Sequence, residues 1–141
     1  VTATVDPIKG VIEWLRLDGD VAALVTGRVY FARVPDSETP NMPRPLVTVQ
    51  AAGGGFLGGG YQDYGDRRLD VDCYAGSDYQ AWLVHLAVRG ALKHLRRQVS
   101  EGVLLHWARP SSEGIQGRDP DTDWPVVFSS WQLLASEVAA A

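Results

Sequence analysis

Five sets of residues in this chain are of the types that do chemistry. The first is the glycine run Ala51–Gly60, "AAGGGFLGGG", which holds six of the chain's 15 glycines. Glycine-rich loops cradle phosphates when a helix N-terminus stands behind them and a Lys reaches in. Here Gly60 is followed by Tyr61 and Gln62, and then by a strand pattern, so neither a P-loop nor a dinucleotide fingerprint is met. The second set is Asp119, Asp121 and Asp123 in "DPDTD", the opening of a calcium loop. Positions six and twelve of that pattern need Gly and Glu, and here they are Trp124 and Ser130. A solvated acidic turn, stiffened by Pro120 and Pro125, accounts for it better. The third is Asp70 and Asp72, two carboxylates on one face of a strand, which can bind a cation or exchange protons. No His or Glu stands within a few residues of them, so a polar outer face is the simpler account. The fourth is His85, His94 and His106, scattered in sequence, with the first two on different helix faces. The fifth is Cys73, a lone thiol on the apolar side of its strand and so inert. No GxSxG occurs. The residues thus make up no catalytic site, no cofactor site and no metal site.

Elements that would position these residues are legible from periodicity. Asp6-Pro7 opens a helix as cap and first residue, and Ile8, Val11, Ile12 and Leu15 line one face of it. "LDGD" stops this helix near Asp18, and Asp20 is placed to cap a short second turn. "RVYF" reads as a short strand, Ala32–Pro45 as an extended loop with four prolines, and "LVTVQA" as a strand entering the glycine run. In "RRLDVDCYA", Leu69, Val71, Cys73 and Ala75 alternate with Asp70, Asp72 and Tyr74, the pattern of a strand buried on one face. The two strands predict a hairpin whose tip is the glycine run, with Phe56-Leu57 as an apolar pair that needs something to dock on.

The strongest element is "SDYQAWLVHLAVRGALKHLRRQ", capped by Ser77 and predicted to run to about Gln98. It carries two apolar stripes at 100° per residue: Tyr79, Trp82, Leu83, Leu86 and Ala87, and then Val84, Val88, Ala91, Leu92 and Leu95. Two stripes require contacts on two sides. One side is the chain's own sheet, and the other is the first helix or a neighbouring subunit. A basic patch, Arg89 to Arg97, reads as the solvated strip of the same helix. "GVLLHWARP" is a strand, Ser111–Asp123 a polar loop, and "WPVVFSSWQLLASE" a long last strand. The order predicts an α+β fold, a mainly antiparallel sheet of about five strands with two principal helices packed on it. One domain covers residues 1–141.

Bulk properties exclude several function classes. The 141 residues are 45% hydrophobic with a net charge of −4, and the deficit sits in the last third, where two basic residues face six acidic ones. That balance does not suit a protein that grips nucleic acid through its phosphates. No apolar run approaches the roughly 18 residues of a membrane span, and the N-terminus does not read as a signal peptide. One cysteine allows no intrachain disulfide, which fits folding in a reducing cytoplasm.

Four segments together, "GRVYFARVP", "PRPLVTVQ", "LDVDCYAGSDYQAW" and "RDPDTDWPVVFSSWQL", resemble the tail-completion, or tail-terminator, proteins of long-tailed bacteriophages. The resemblance spans roughly residues 5–137. It implies a structural virion protein with no reaction and no cofactor. Such a protein is assembled in the host cytoplasm and sits at the head-proximal end of the tail. It forms a homo-oligomeric ring, typically a hexamer, that ends the tube of tail tube protein. The ring meets the head-tail connector or stopper protein, and double-stranded DNA passes through its lumen without specific binding. Within this resemblance, subunit or partner contacts are expected at Gly54, Gly55, Phe56, Leu57 and Gly58 on the hairpin tip, and at Val88, Leu92 and Leu95 on the second stripe. Three alternatives remain open: another neck component such as a head-closure protein, a small metal-dependent enzyme using Asp119, Asp121 and Asp123, and a plain intracellular binding module that stays monomeric.

Overall fold

The structure, a computed structural model, describes residues 6–56, 64–100 and 102–137. Helix α1 (Pro7–Leu17) starts as its sequence dictates: Asp6 is extended, and its carboxylate accepts the Ile8 N–H at 3.0 Å. Asp18 then serves twice. It closes α1 and caps α2 (Gly19–Val25) by accepting the Val21 N–H at 3.1 Å. The cap of α2 is therefore Asp18; Asp20 sits inside the first turn, where its charge still suits the helix dipole.

Six strands form one sheet in the order β1-β2-β3-β6-β5-β4. They are β1 (Val29–Phe31), β2 (Leu46–Phe56), β3 (Tyr64–Tyr74), β4 (Arg96–Ser100), β5 (Val103–Arg118) and β6 (Pro125–Glu137). β1 and β2 run parallel, and the other neighbours pair antiparallel. The architecture is α+β, with one strand more than the sequence suggests and one parallel pair.

The extra strand comes from the end of α3 (Asp78–Lys93). Its helical pattern continues to Gln98, but the Arg96 guanidinium folds back onto the Lys93 and Leu95 carbonyls at 3.0 and 2.9 Å. The bond to Lys93 satisfies one orphan acceptor of a helix that ends early. β4 begins at Arg96 itself, with Arg97 at φ 48° as an irregularity in its first residues. β5 is longer than its apolar pattern because its register shifts between Leu105 and Trp107, Pro110 and Ser112, and Ser112 and Ile115. Each irregularity breaks the alternation that marks a strand, so the segment from Ser111 reads as loop although it pairs with β6.

The sheet curls. α1 touches β1 and β2 near one edge and β4 and β5 near the other. Side chains tie it to both: Arg16 donates to the Val29 carbonyl, and the Ser100 hydroxyl donates to the Gly10 carbonyl at 2.9 Å. Gly10 lets β4 come this close, since a Cβ there would lie 3.1 Å from the Ser100 carbonyl oxygen. The Trp14 indole N–H donates to the Ala91 carbonyl at 3.0 Å and joins α1 to α3.

The main core lies between the helices and the concave side of the sheet, and Leu69, Val71, Cys73, Val127, Trp131 and Leu133 are buried in it. Trp131 donates its indole N–H to Ser129 Oγ at 3.0 Å, and Ser129 donates to the Val71 carbonyl, so both buried polar groups are satisfied. A smaller cluster of Leu46, Tyr74 and Val126 forms on the other side of the sheet. Residues of the loop after β1, Val34 and Met42, pack on it and cover one end of that outer face.

Candidate interaction surfaces

The outer face of the sheet collects the carboxylates. Asp70 and Asp72 point outward from β3, and Asp70 Oδ1 accepts from Ser130 on β6 at 2.8 Å. Burial pushes the Asp72 carboxyl up to about 6, with the charges of Asp70 and then Asp119 adding to it. Tyr74 on the same face is raised to about 12, first by burial and then by the Asp72 and Asp119 charges. Asp119, distant in sequence, reaches this corner because β6 returns the chain beside β3.

The Asp119 carboxylate is engaged by its own turn. Its Oδ1 accepts the N–H groups of Asp121 and Thr122 at 2.9 and 3.2 Å, a turn-forming pattern that needs no cation. Arg118 reaches both Asp78, at 3.5 Å, and Asp123, at 4.0 Å. Among the described residues, no three His, Cys, Asp or Glu side chains are grouped to hold a metal ion. The histidines lie apart: His85 is buried on α3, His94 Nδ1 is 2.8 Å from the Gly90 carbonyl, and His106 Nε2 is 2.9 Å from Ser136 Oγ. Cys73 is fully buried, and burial pushes its thiol far above the usual range.

Asp72 gives a test of this geometry. Its folded pKa of about 6 stands above the ordinary value of 3.8, so the folded state holds the proton more tightly than the unfolded chain. Stability is therefore greatest below pH 3.8 as far as this group is concerned, and falls as pH rises toward 6. Two units would amount to about 3 kcal/mol; partial exposure reduces this to about 1–2 kcal/mol. Asp72→Asn is expected to raise the melting temperature at pH 7.5 and to leave it unchanged at pH 4. Equal melting curves for the two proteins at pH 7.5 would refute the assignment.

α3 presents both of its apolar stripes as separate surfaces, with their roles reversed from the sequence expectation. Val88, Leu92 and Leu95 are fully buried in the chain's own core. They are no contact for a neighbour, because the curled sheet and α1 already close over that side of the helix. The other stripe faces water: Tyr79 is 69% exposed, Leu83 36% and Leu86 41%. Trp82 beside them is partly buried, with its ring 5.1 Å from that of His85. Tyr79 and Trp82 form one wall of a groove whose other wall is Gly114 and Gln116 on β5.

Residues 51–56 of the glycine run are strand. Gly54, Gly55 and Phe56 belong to β2 and pair with Arg67, Asp66 and Gly65. Their register shifts between Ala51 and Gly54, where Gly53 takes φ +99°, a conformation L side chains rarely adopt. Leu57 and Gly58 lie outside the described residues. Among the described residues the run leads out of β2 and the chain resumes in β3, with no helix dipole there to hold a phosphate.

One surface was invisible to sequence reasoning. Arg68, Gln132 and Arg109 fall in one row across β3, β6 and β5 on the outer face. The Arg109 guanidinium lies 3.9 Å over the Trp107 ring. This basic row lies on the same face as the acidic corner, four residues along β3 from Asp72. Only the strand register reveals the basic row, since its residues are far apart in sequence. Among the described residues, no helix is long and apolar enough to cross a membrane.

The described surface is thus a curled sheet backed by helices, with apolar side chains left in water along one of them. The chain matches the family described as tail completion protein gp17 over residues 9–132, and it belongs to that family. It is thus a structural protein of a bacteriophage-type virion, with its place in the tail. A solved structure titled virion of native gene transfer agent particle contains a chain of the same fold, with TM-score 0.61 and 21% identity. The match covers 90% of this chain and 92% of that one. No curated protein matches the chain in sequence.

Proposed function

We propose that copies of this chain close into a ring, a hexamer, that ends the tail tube and joins it to the head connector, leaving a lumen for double-stranded DNA. The family match over residues 9–132 carries this reading. Two properties of the chain support it. Its net charge of −4 suits a channel that lets DNA slide without holding it. Its β2–β3 pairing continues the sheet as far as Phe56, which gives a neighbour an extended edge to meet at Gly54, Gly55 and Phe56, the residues that lead in sequence to Leu57 and Gly58. The chain acts by docking and performs no reaction.

Electron micrographs of tails assembled with and without the protein test the ring. The expected result is a ring of density at one end of the tube only, with tubes of unregulated length when the protein is left out. Protein decorating the whole tube, or a single copy at its end, would overturn the reading. Phe56→Ser with Leu57→Ser is expected to reduce joining of heads to tails at least tenfold while the melting temperature stays within a few degrees. Undiminished joining would remove the hairpin from the contact.

A further inference from the structure

The solvent side of α3 has the layout of a helix-pairing seam. Tyr79, Leu83, Leu86 and Gly90 follow at spacings of four, three and four, the repeat by which one helix packs along another. The three large side chains are exposed. A Cβ at Gly90 would meet nothing within 4 Å, so the ridge carries a large ring at one end and a notch at the other. The helix is also polar in charge: its first turn carries Asp78 and its last turn Lys93.

We propose that this ridge is a two-fold seam through which the free chain pairs with a second copy of itself, α3 against α3, antiparallel. Tyr79 then enters the notch over Gly90 of the second copy, and Leu83 packs on Leu86 of the second copy; the two-fold axis repeats both layers. Asp78 approaches Lys93 of the second copy at each end, and the two helix dipoles oppose. A parallel pairing would set Tyr79 against Tyr79 and leave a void between two copies of Gly90. Size and charge together therefore select a second copy in one orientation as the occupant.

A two-fold contact does not recur around a ring of purely cyclic symmetry. The dimer is accordingly a state of the free protein, which covers the ridge before assembly and releases it to other neighbours in the tail. The inference stands independently of the ring. A single helix pair is smaller than a standard interface, so the dimer is weak, with a dissociation constant on the order of 10–100 µM.

Cysteine cross-linking and sedimentation test it on the full chain. Tyr79→Cys and Gly90→Cys proteins, mixed and oxidised, are expected to give a covalent dimer, whereas Tyr79→Cys alone gives none. In the antiparallel pair its two thiols lie about 16 Å apart along the axis, beyond disulfide reach. Cys73 is buried and does not compete. Sedimentation velocity should show concentration-dependent dimer in the parent protein, weakened at least tenfold in Leu83→Glu with Leu86→Glu, a surface variant whose folding is verified by its melting curve. A parent that stays monomeric to millimolar concentration overturns the proposal. So does Tyr79→Cys alone cross-linking as well as the mixture, or dimer that survives the double glutamate change. Ring density in micrographs of tails is a separate readout, and its loss leaves the dimer standing.

Discussion

Leu92→Asp is expected to unfold the protein at room temperature. Leu92 is fully buried among Val88, Ala91 and Leu95 on the inner side of α3. Truncating such a leucine costs about 2–5 kcal/mol through lost transfer energy and the cavity left behind. A carboxylate in the same place adds several kcal/mol of desolvation, or forces the group to stay protonated. The sum reaches the 5–15 kcal/mol that typically holds a domain of this size together. Circular dichroism should show no cooperative melt, and the protein should be recovered in the insoluble fraction. Val88→Asp and Leu95→Asp should behave alike. Leu83→Asp, on the same helix but on its solvent side, should melt within a few degrees of the parent. A well-folded Leu92→Asp protein would mean that the buried and exposed stripes have been exchanged. This outcome differs from what a neighbour contact at the second stripe would give, namely assembly weakened more than folding.

Gly114→Ala is the second large effect, from the smallest change. A Cβ at Gly114 would stand 2.6 Å from His85 Nε2 and 2.9 Å from two ring carbons. His85 is 1% exposed and lies in the middle of α3 with its ring against Trp82, so it has little room to swing aside. The strand must lift instead, which separates β5 from the helix it packs on. Overpacking of this kind costs about 1–3 kcal/mol, and the rigid neighbours place this site at the upper end. The melting temperature should fall by roughly 10 °C for a chain of this length. Truncating the ring makes space, so His85→Ala combined with Gly114→Ala should lose less stability than the sum of the single changes. Strict additivity would show that the contact is not the cause. The prediction also explains why a glycine sits inside a strand, where it ordinarily weakens the sheet.

Local chemistry was plain in the sequence wherever a residue acts on its chain neighbours. Asp6 with Pro7, and Ser77 before Gln80, marked two helix starts because a cap bonds to a backbone N–H two or three residues away. Leu69, Val71 and Cys73 declared the buried side of β3 because alternation follows from the pleat. Both stripes of α3 were equally visible, and so was the need for contacts on two sides. What failed was reach. Helical periodicity ran through Leu95 into β4 because Arg96 ends the helix by a bond that its own residue type does not announce. Three register shifts in β5 erased the alternation that would have marked it as a strand.

The sequence by itself determined the starts of α1 and α3, the buried side of β3 and the two-sided character of α3. These depend on spacings of two to four residues, which the backbone geometry of helices and strands converts directly into faces. Tertiary structure decided which stripe of α3 meets the core, since a helix of given periodicity accepts a sheet on either apolar side. It also decided that Asp119 comes to Asp72, that Arg68 and Arg109 share a row, and that His85 leaves no room for a side chain at Gly114. Each of these rests on which strands pair and in what register. Pairing is set by the burial of the whole apolar face, an energy summed over the sheet and carried by no single segment.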